Sequence, residues 1–177
     1  LSLSILLLSN LINMNDCKHL KDVETTKQNP KIETRHLSRG GKLFVWSARR
    51  WLIAGQRKEK LETVLGRTYQ LANCPEAASL LDEIMSLIAI GAYRPVAIRC
   101  LTCPILSADE WALISVLRKL HLKESEQARM IIDDLMRGAL VTTLLRAAGI
   151  YADCLSQAGS PILSAGFLHV VDSNTKH

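Results

Sequence analysis

A run of amphipathic helical segments, from about Lys58 to Gly159, most constrains what this chain can fold into. Apolar residues recur in it every three or four positions, the spacing that places them on one face of an α-helix. Each segment has a recognisable start or stop signal. Short connections between segments favour successive helices that are antiparallel neighbours. The pattern predicts an all-α fold, a compact bundle of five to six helices.

A first helix is predicted upstream of that run, from Lys42 to Ala54, with Gly55 as its stop signal. A helical wheel separates an apolar face from a basic face in this segment. The apolar face, which we expect in the core, consists of Phe44, Val45, Ala48, Trp51 and Leu52. Beside Trp46, the basic face carries Lys42, Arg49 and Arg50.

The later helices follow from the same periodicity, and Pro75 suits a first helical position because its missing N–H would have no partner there. The clearest start signal is Ser107-Ala-Asp-Glu110, which matches the capping box. Between Ala92 and Leu106 the period is lost, and Val96-Ala97-Ile98 is at most a short extended piece. The predicted helices are Lys58–Ala72, Pro75 to the stop at Gly91, the segment behind Ser107, Glu124–Arg137 and Ala139–Gln157.

The domain organisation predicted from these patterns has three parts: a leader and flexible basic arm over residues 1–41, a helical domain over 42–159, and a tail over 160–177. The first nine residues are apolar but fall short of the roughly 20 needed to cross a bilayer. They also lack a basic leader and a cleavage site, so no signal peptide and no transmembrane segment is expected. We interpret residues 1–13 as lying upstream of a working start at Met14.

Charge is unevenly distributed and provides the strongest indication of function. Between Lys27 and Lys60 there are ten Lys or Arg residues and two acidic ones, a net charge of +8 in a chain whose total is +5. Such a segment attracts acidic proteins or phosphates. We therefore expect a non-catalytic binding or regulatory module, an adaptor for a protein partner, which could also form homo-oligomers. Its predicted contact residues are Lys42, Trp46, Arg49, Arg50 and Arg57.

Sequence-independent nucleic-acid binding through the same face is the alternative function. A helix-turn-helix is disfavoured, because the possible reading helix after Pro75 carries Glu76, Asp82 and Glu83 and no Lys or Arg. Those charges would repel a phosphate backbone. The other possible reading helix, after Ala139, is too apolar to lie in a groove of DNA.

Cys100 and Cys103 have a spacing that lets two thiolates reach one metal, but no second pair completes a four-ligand site. A small metal- or thiol-dependent protein is therefore the least favoured function. Five cysteines without a scaffold rhythm indicate mostly reduced thiols and a cytoplasmic protein. The sequence contains no recognisable catalytic constellation or phosphate-binding glycine loop, so we predict neither a catalytic residue nor a cofactor.

Overall fold

The computed structural model describes residues 32–163, together with the backbone of a short strand at residues 12–15. Most of the described chain is helical. A 3-10 turn at Thr34–His36 precedes the first helix. The α-helices of the described part are α1 (Arg39–Arg57), α2 (Leu61–Leu71), α3 (Ala77–Gly91), α4 (Ala108–His121), α5 (Ser125–Ile132) and α6 (Leu140–Gln157).

These helices enclose one hydrophobic core, so the predicted all-α bundle is confirmed. Helix α3 packs most extensively on α6, and α4 packs on both α5 and α6. The end of α3 lies beside the start of α6, because a Cβ added at Gly91 would lie 3.1 Å from Leu140 Cδ1. The two helices are therefore antiparallel. The apolar face predicted for the first helix is buried in full: Phe44, Val45, Ala48, Trp51 and Leu52.

Two tyrosines from distant parts of the chain meet in this core. The hydroxyl groups of Tyr69 on α2 and Tyr151 on α6 are 2.8 Å apart and form a hydrogen bond. Burial raises the pKa of Tyr69 to about 12, so its hydroxyl remains neutral near pH 7. The Phe44 ring packs edge-on against Tyr151 with a centroid distance of 5.9 Å, which joins α1 to the same contact. This trio links α1, α2 and α6.

Helix α1 is longer than predicted at both ends, and its start lies within the segment that we expected to be a flexible arm. Ser38 caps it by accepting a hydrogen bond from the backbone N–H of Gly41 at 3.2 Å. Ile32 and Leu37, which precede the cap, pack against the core. The predicted helix start at Lys42 is therefore wrong, because capping by Ser38 starts the helix at Arg39. The rest of the predicted arm, residues 16–31, lies outside the described residues.

Residue 40, in the first turn of α1, has to be a glycine because a neighbouring segment passes too close for any side chain. A Cβ at this position would lie 2.1 Å from the carbonyl oxygen of Ser160. Ser160 and Ile162 are themselves buried. The beginning of the predicted C-terminal tail is therefore packed onto α1, and the tail after Leu163 lies outside the described residues.

The extended piece predicted near Val96 is a strand, β2 (Val96–Arg99), and it pairs in parallel with β1 (Ile12–Asn15). Ile12 lies opposite Val96 and Asn15 lies opposite Arg99. Residues 12–13, which we had assigned to a segment upstream of the start, thus take part in the strand pair. The local pattern indicated β2 but carried no signal for β1 or for the pairing, because that pairing joins positions far apart in sequence.

The predicted start of α4 is confirmed in detail, whereas the predicted end of the next helix is wrong. Ser107 Oγ accepts from the N–H of Glu110 at 3.0 Å, and the Glu110 carboxylate accepts from the N–H of Ser107 at 2.9 Å. Helix α5 stops at Ile132 and not at Arg137. The chain turns there because Leu135 and Met136 are buried, and Met136 pairs through its backbone with Ala92.

The contact at Gly40 leads to a stability prediction. Gly40→Ala should lower the free energy of unfolding by about 1–3 kcal/mol, because the new methyl group must displace the backbone at Ser160. The matched control is Gly66→Ala within α2, where a Cβ meets nothing within 4 Å. That substitution should stabilise the protein by about 0.5–1 kcal/mol through helix propensity. Urea unfolding measures both, and equal effects would contradict the packing of residue 160 on α1.

Candidate partner-binding groove beside Trp46

A surface groove of about 330 Å³ runs between α1 and the connection from β2 to α4. The volume falls within the range of clefts that bind small ligands or the side chains of a peptide. One wall is the N-terminal half of α1, the opposite wall is the loop of residues 101–104, and the 3-10 turn closes one end. We call this feature the Trp46 groove. Its lining residues are Thr34, Arg35, Lys42, Val45, Trp46, Arg49, Leu101, Thr102, Cys103 and Pro104.

The structure brings two of the predicted contact residues together on the α1 wall. Lys42 and Trp46 are one helical turn apart and therefore share a face. Lys42 is exposed, whereas Trp46 is half-buried and packs partly against the core. The indole therefore offers part of its surface to the groove while the core holds the rest in place.

Arg35 adds a second cation that the sequence analysis did not single out. Its side chain is 73% exposed and forms an ion pair with Glu33 at 2.7 Å. A surface pair of this kind contributes at most about 1 kcal/mol, so an incoming carboxylate can replace Glu33 at little cost. The 3-10 turn that carries Arg35 is fixed to the opposite wall, because Thr34 N–H donates to the carbonyl oxygen of Pro104 at 2.7 Å.

Arg49 does not belong to an exposed basic face, and that interpretation of it is wrong. Its side chain is 2% exposed and lies beneath the groove. Nε and Nη2 donate to the two carboxylate oxygens of Glu110 at 2.7 and 3.0 Å. Nη1 donates to the carbonyl oxygen of Cys103 at 2.6 Å, and Nη2 also donates to that of Ile105 at 3.2 Å. Burial is tolerated because the carboxylate neutralises the guanidinium and four hydrogen bonds satisfy it.

Arg50 and Arg57 interact with a shared acidic partner. Arg50 Nη2 lies 2.6 Å from Glu59 Oε2, and Arg57 Nη1 lies 3.8 Å from Glu59 Oε1. Neither residue lines the groove. Three of the five predicted contact residues therefore line the groove, one of them, Arg49, as a buried floor, and the other two do not line it.

Glu110 makes contacts beyond the capping box that the sequence predicted for it. Besides Arg49 and the N–H of Ser107, its carboxylate accepts from the backbone N–H of Arg99 at 3.1 Å. The adjacent Asp109 binds both terminal nitrogens of Arg94 and the N–H of Ala97. Carboxylates of α4 thus hold one edge of β2. The sequence did contain a signal for the burial of Glu110, since this residue lies one turn before Leu113 and Ile114 on the buried face of α4.

The cysteine pair does not form a metal centre in the described structure. Cys100 is disulfide-bonded, so its sulfur is not available as a thiolate ligand. Cys103 is a free, buried thiol, and therefore the two cysteines are not bonded to each other. Within residues 32–163, no group of three or more His, Cys, Asp or Glu side chains is arranged to bind a metal. The remaining role of Cys103 is to present its carbonyl oxygen to Arg49.

Comparison with protein-family models, with curated proteins and with solved structures found no match to this chain. Among the described helices, none combines the length and the apolar character needed to span a bilayer.

The buried ion pair leads to a second prediction. Arg49→Ala should lower the free energy of unfolding by about 3–5 kcal/mol, because it leaves the Glu110 carboxylate buried without its cation. Arg50→Ala is the matched control on the next residue of the same helix. Its pair with Glu59 is partly exposed, so we expect a loss below about 1 kcal/mol. Chemical denaturation of both variants provides the comparison, and similar losses would show that Arg49 is not buried as described.

Proposed function

We propose that this protein is a non-catalytic binding module that recognises an acidic segment of a partner protein through the Trp46 groove. The observation that carries the proposal is the combination, in one concave surface, of a half-buried tryptophan and two exposed cations, Arg35 and Lys42. Concave sites with an apolar lining and a few placed charges are the usual form of a recognition site.

The apolar part of the groove favours a peptide over a free anion. Trp46 and Leu101 offer partly exposed apolar surface, and Pro104 adds a rigid contact on the opposite wall. Tryptophan is among the residues that most often dominate binding energy, because its large ring loses little conformational freedom on binding. One apolar side chain of the partner would lie against Trp46. Neighbouring carboxylates would meet Lys42 and Arg35.

The charge pattern favours an acidic protein segment over a nucleic acid. Phosphate-backbone binding needs a stripe of free cations along the path of the strand. Arg49 cannot extend such a stripe from Lys42, since it is buried against Glu110, and Arg50 and Arg57 do not line the groove. Two local cations beside an apolar surface suit a short acidic sequence with an apolar anchor.

The proposal is tested by fluorescence anisotropy with labelled probes and the full chain. The probes are short peptides rich in Asp and Glu around one central leucine or tryptophan, the same peptides with Lys in place of the acids, and single- and double-stranded DNA. We expect the acidic peptides to bind and the basic peptides not to bind. Lys42→Glu should weaken the acidic complex about tenfold or more, because it places like charges opposite one another.

Two further variants make the test specific to the groove. Trp46→Ala should also weaken binding about tenfold or more, as expected for an aromatic anchor. Arg129→Glu on α5 changes the net charge by the same amount as Lys42→Glu, but Arg129 is exposed and does not line the groove. It should leave the affinity unchanged. Equal weakening by both charge reversals would indicate general electrostatic attraction and contradict the groove.

Tight DNA binding with a steep salt dependence, about −0.9 in log–log slope per phosphate neutralised, would replace the proposal by the nucleic-acid function. Self-association, a possibility from the sequence, would appear as a molecular mass that rises with protein concentration in the absence of any probe.

A cytoplasmic location stays a prediction. Of the four cysteines in the described part, Cys74, Cys103 and Cys154 are free thiols, whereas Cys100 is disulfide-bonded, a state that is uncommon in the cytoplasm.

A further inference from the structure

We infer that Arg49 is a positioning residue for the Trp46 groove: from beneath, it fixes the opposite wall and thereby sets the affinity for the acidic segment. This inference rests on the proposed function and adds a residue whose charge is not offered to the partner. The side chain is 2% exposed, and its donors are directed at the protein.

Arg49 connects the two walls of the groove directly. It belongs to α1, the wall that carries Trp46, and it donates to the carbonyl oxygens of Cys103 and Ile105 in the loop of the opposite wall. One side chain therefore links the helix that carries Trp46 directly to that loop. The same guanidinium binds Glu110, whose carboxylate also accepts from the N–H groups at both ends of the loop, Arg99 and Ser107.

Only an arginine can make this set of contacts. Its planar guanidinium presents five donors in a fixed arrangement, so it can bind a carboxylate in bidentate fashion and two carbonyl groups at once. A lysine at position 49 would keep the charge but has a single nitrogen with three donors. It could pair with Glu110 or reach Cys103, and the wall would lose part of its support.

A second set of contacts holds the Pro104 end of the loop independently of Arg49. Thr34 N–H donates to the Pro104 carbonyl oxygen, and Leu106 N–H donates to that of Ile32 at 2.9 Å. Loss of Arg49 should therefore loosen the face of the loop that lines the groove without detaching the loop from the domain. The expected effect is local.

The test uses the double variant Arg49→Met with Glu110→Leu. Replacing both members of a buried ion pair by apolar residues of similar size avoids leaving a lone buried charge, so the domain should remain folded. We expect affinity for the acidic peptides to fall about tenfold or more, because binding must now order the loop. Amide hydrogen exchange should accelerate at Cys103, whose N–H bonds to the Cys100 carbonyl oxygen within this loop. Amides in the α3 and α6 core should keep their protection.

Two further variants distinguish a positioning role of Arg49 from a general loss of protein stability. Ile132→Ala removes a fully buried side chain in α5, away from the groove, and should lower the midpoint of urea unfolding while leaving peptide affinity unchanged. If the double variant does not fold, Arg49→Lys replaces it in the test. This variant should show the same faster amide exchange at Cys103 and should bind the acidic peptides more weakly.

Wild-type affinity together with wild-type exchange at Cys103 in the altered protein would overturn the inference. Failure of the unaltered protein to bind any acidic peptide would instead contradict the proposed function. The exchange comparison needs no ligand and would still decide whether Arg49 holds the wall.

Discussion

The ion pair between Arg49 and Glu110 is the interaction on which the arrangement of the described structure most depends. Glu110 joins the start of α4, the end of β2 and the middle of α1 through hydrogen bonds to Ser107, Arg99 and Arg49. A buried carboxylate needs this many donors because each lone pair left without a partner would lose its hydration with nothing in return. The residues between β2 and α4 form no helix, and these charged contacts substitute for the regular hydrogen bonds that they lack.

The same pair also determines which positive charges are available at the surface. The segment between Lys27 and Lys60 has a strong excess of positive charge, which alone suggests a broad basic face. In the folded chain Arg49 is neutralised inside, while Arg50 and Arg57 share Glu59. Lys42 and Arg35 then stand beside Trp46 at a groove whose floor is the buried arginine. The pair thus removes Arg49 from the surface charge of the segment, and the groove keeps two exposed cations beside an apolar surface.

Much of the fold was predictable because local signals define it. The apolar spacing of Phe44, Ala48 and Trp51 identified the buried face of α1, and the Ser107–Glu110 box identified the start of α4. Helix ends were less predictable. Gly40 resembled part of a flexible arm, yet it lies in α1, and its lack of a side chain lets Ser160, 120 positions later, pass against it. Helix α5 ends early because Leu135 and Met136 are drawn into the core. In each case a distant contact outweighed the local preference.

The candidate site was predictable only in part, for the same physical reason. The sequence by itself determined the helices, their buried faces and the clustering of positive charge near Trp46, since these depend on residues within one or two turns of each other. The tertiary structure decided which of those charges face solvent, that Arg49 meets Glu110 across 61 positions, and that the loop of residues 101–104 forms the second wall. An ion pair between distant residues has no periodicity or spacing in the sequence. It exists only once packing brings the two side chains together and excludes water from them.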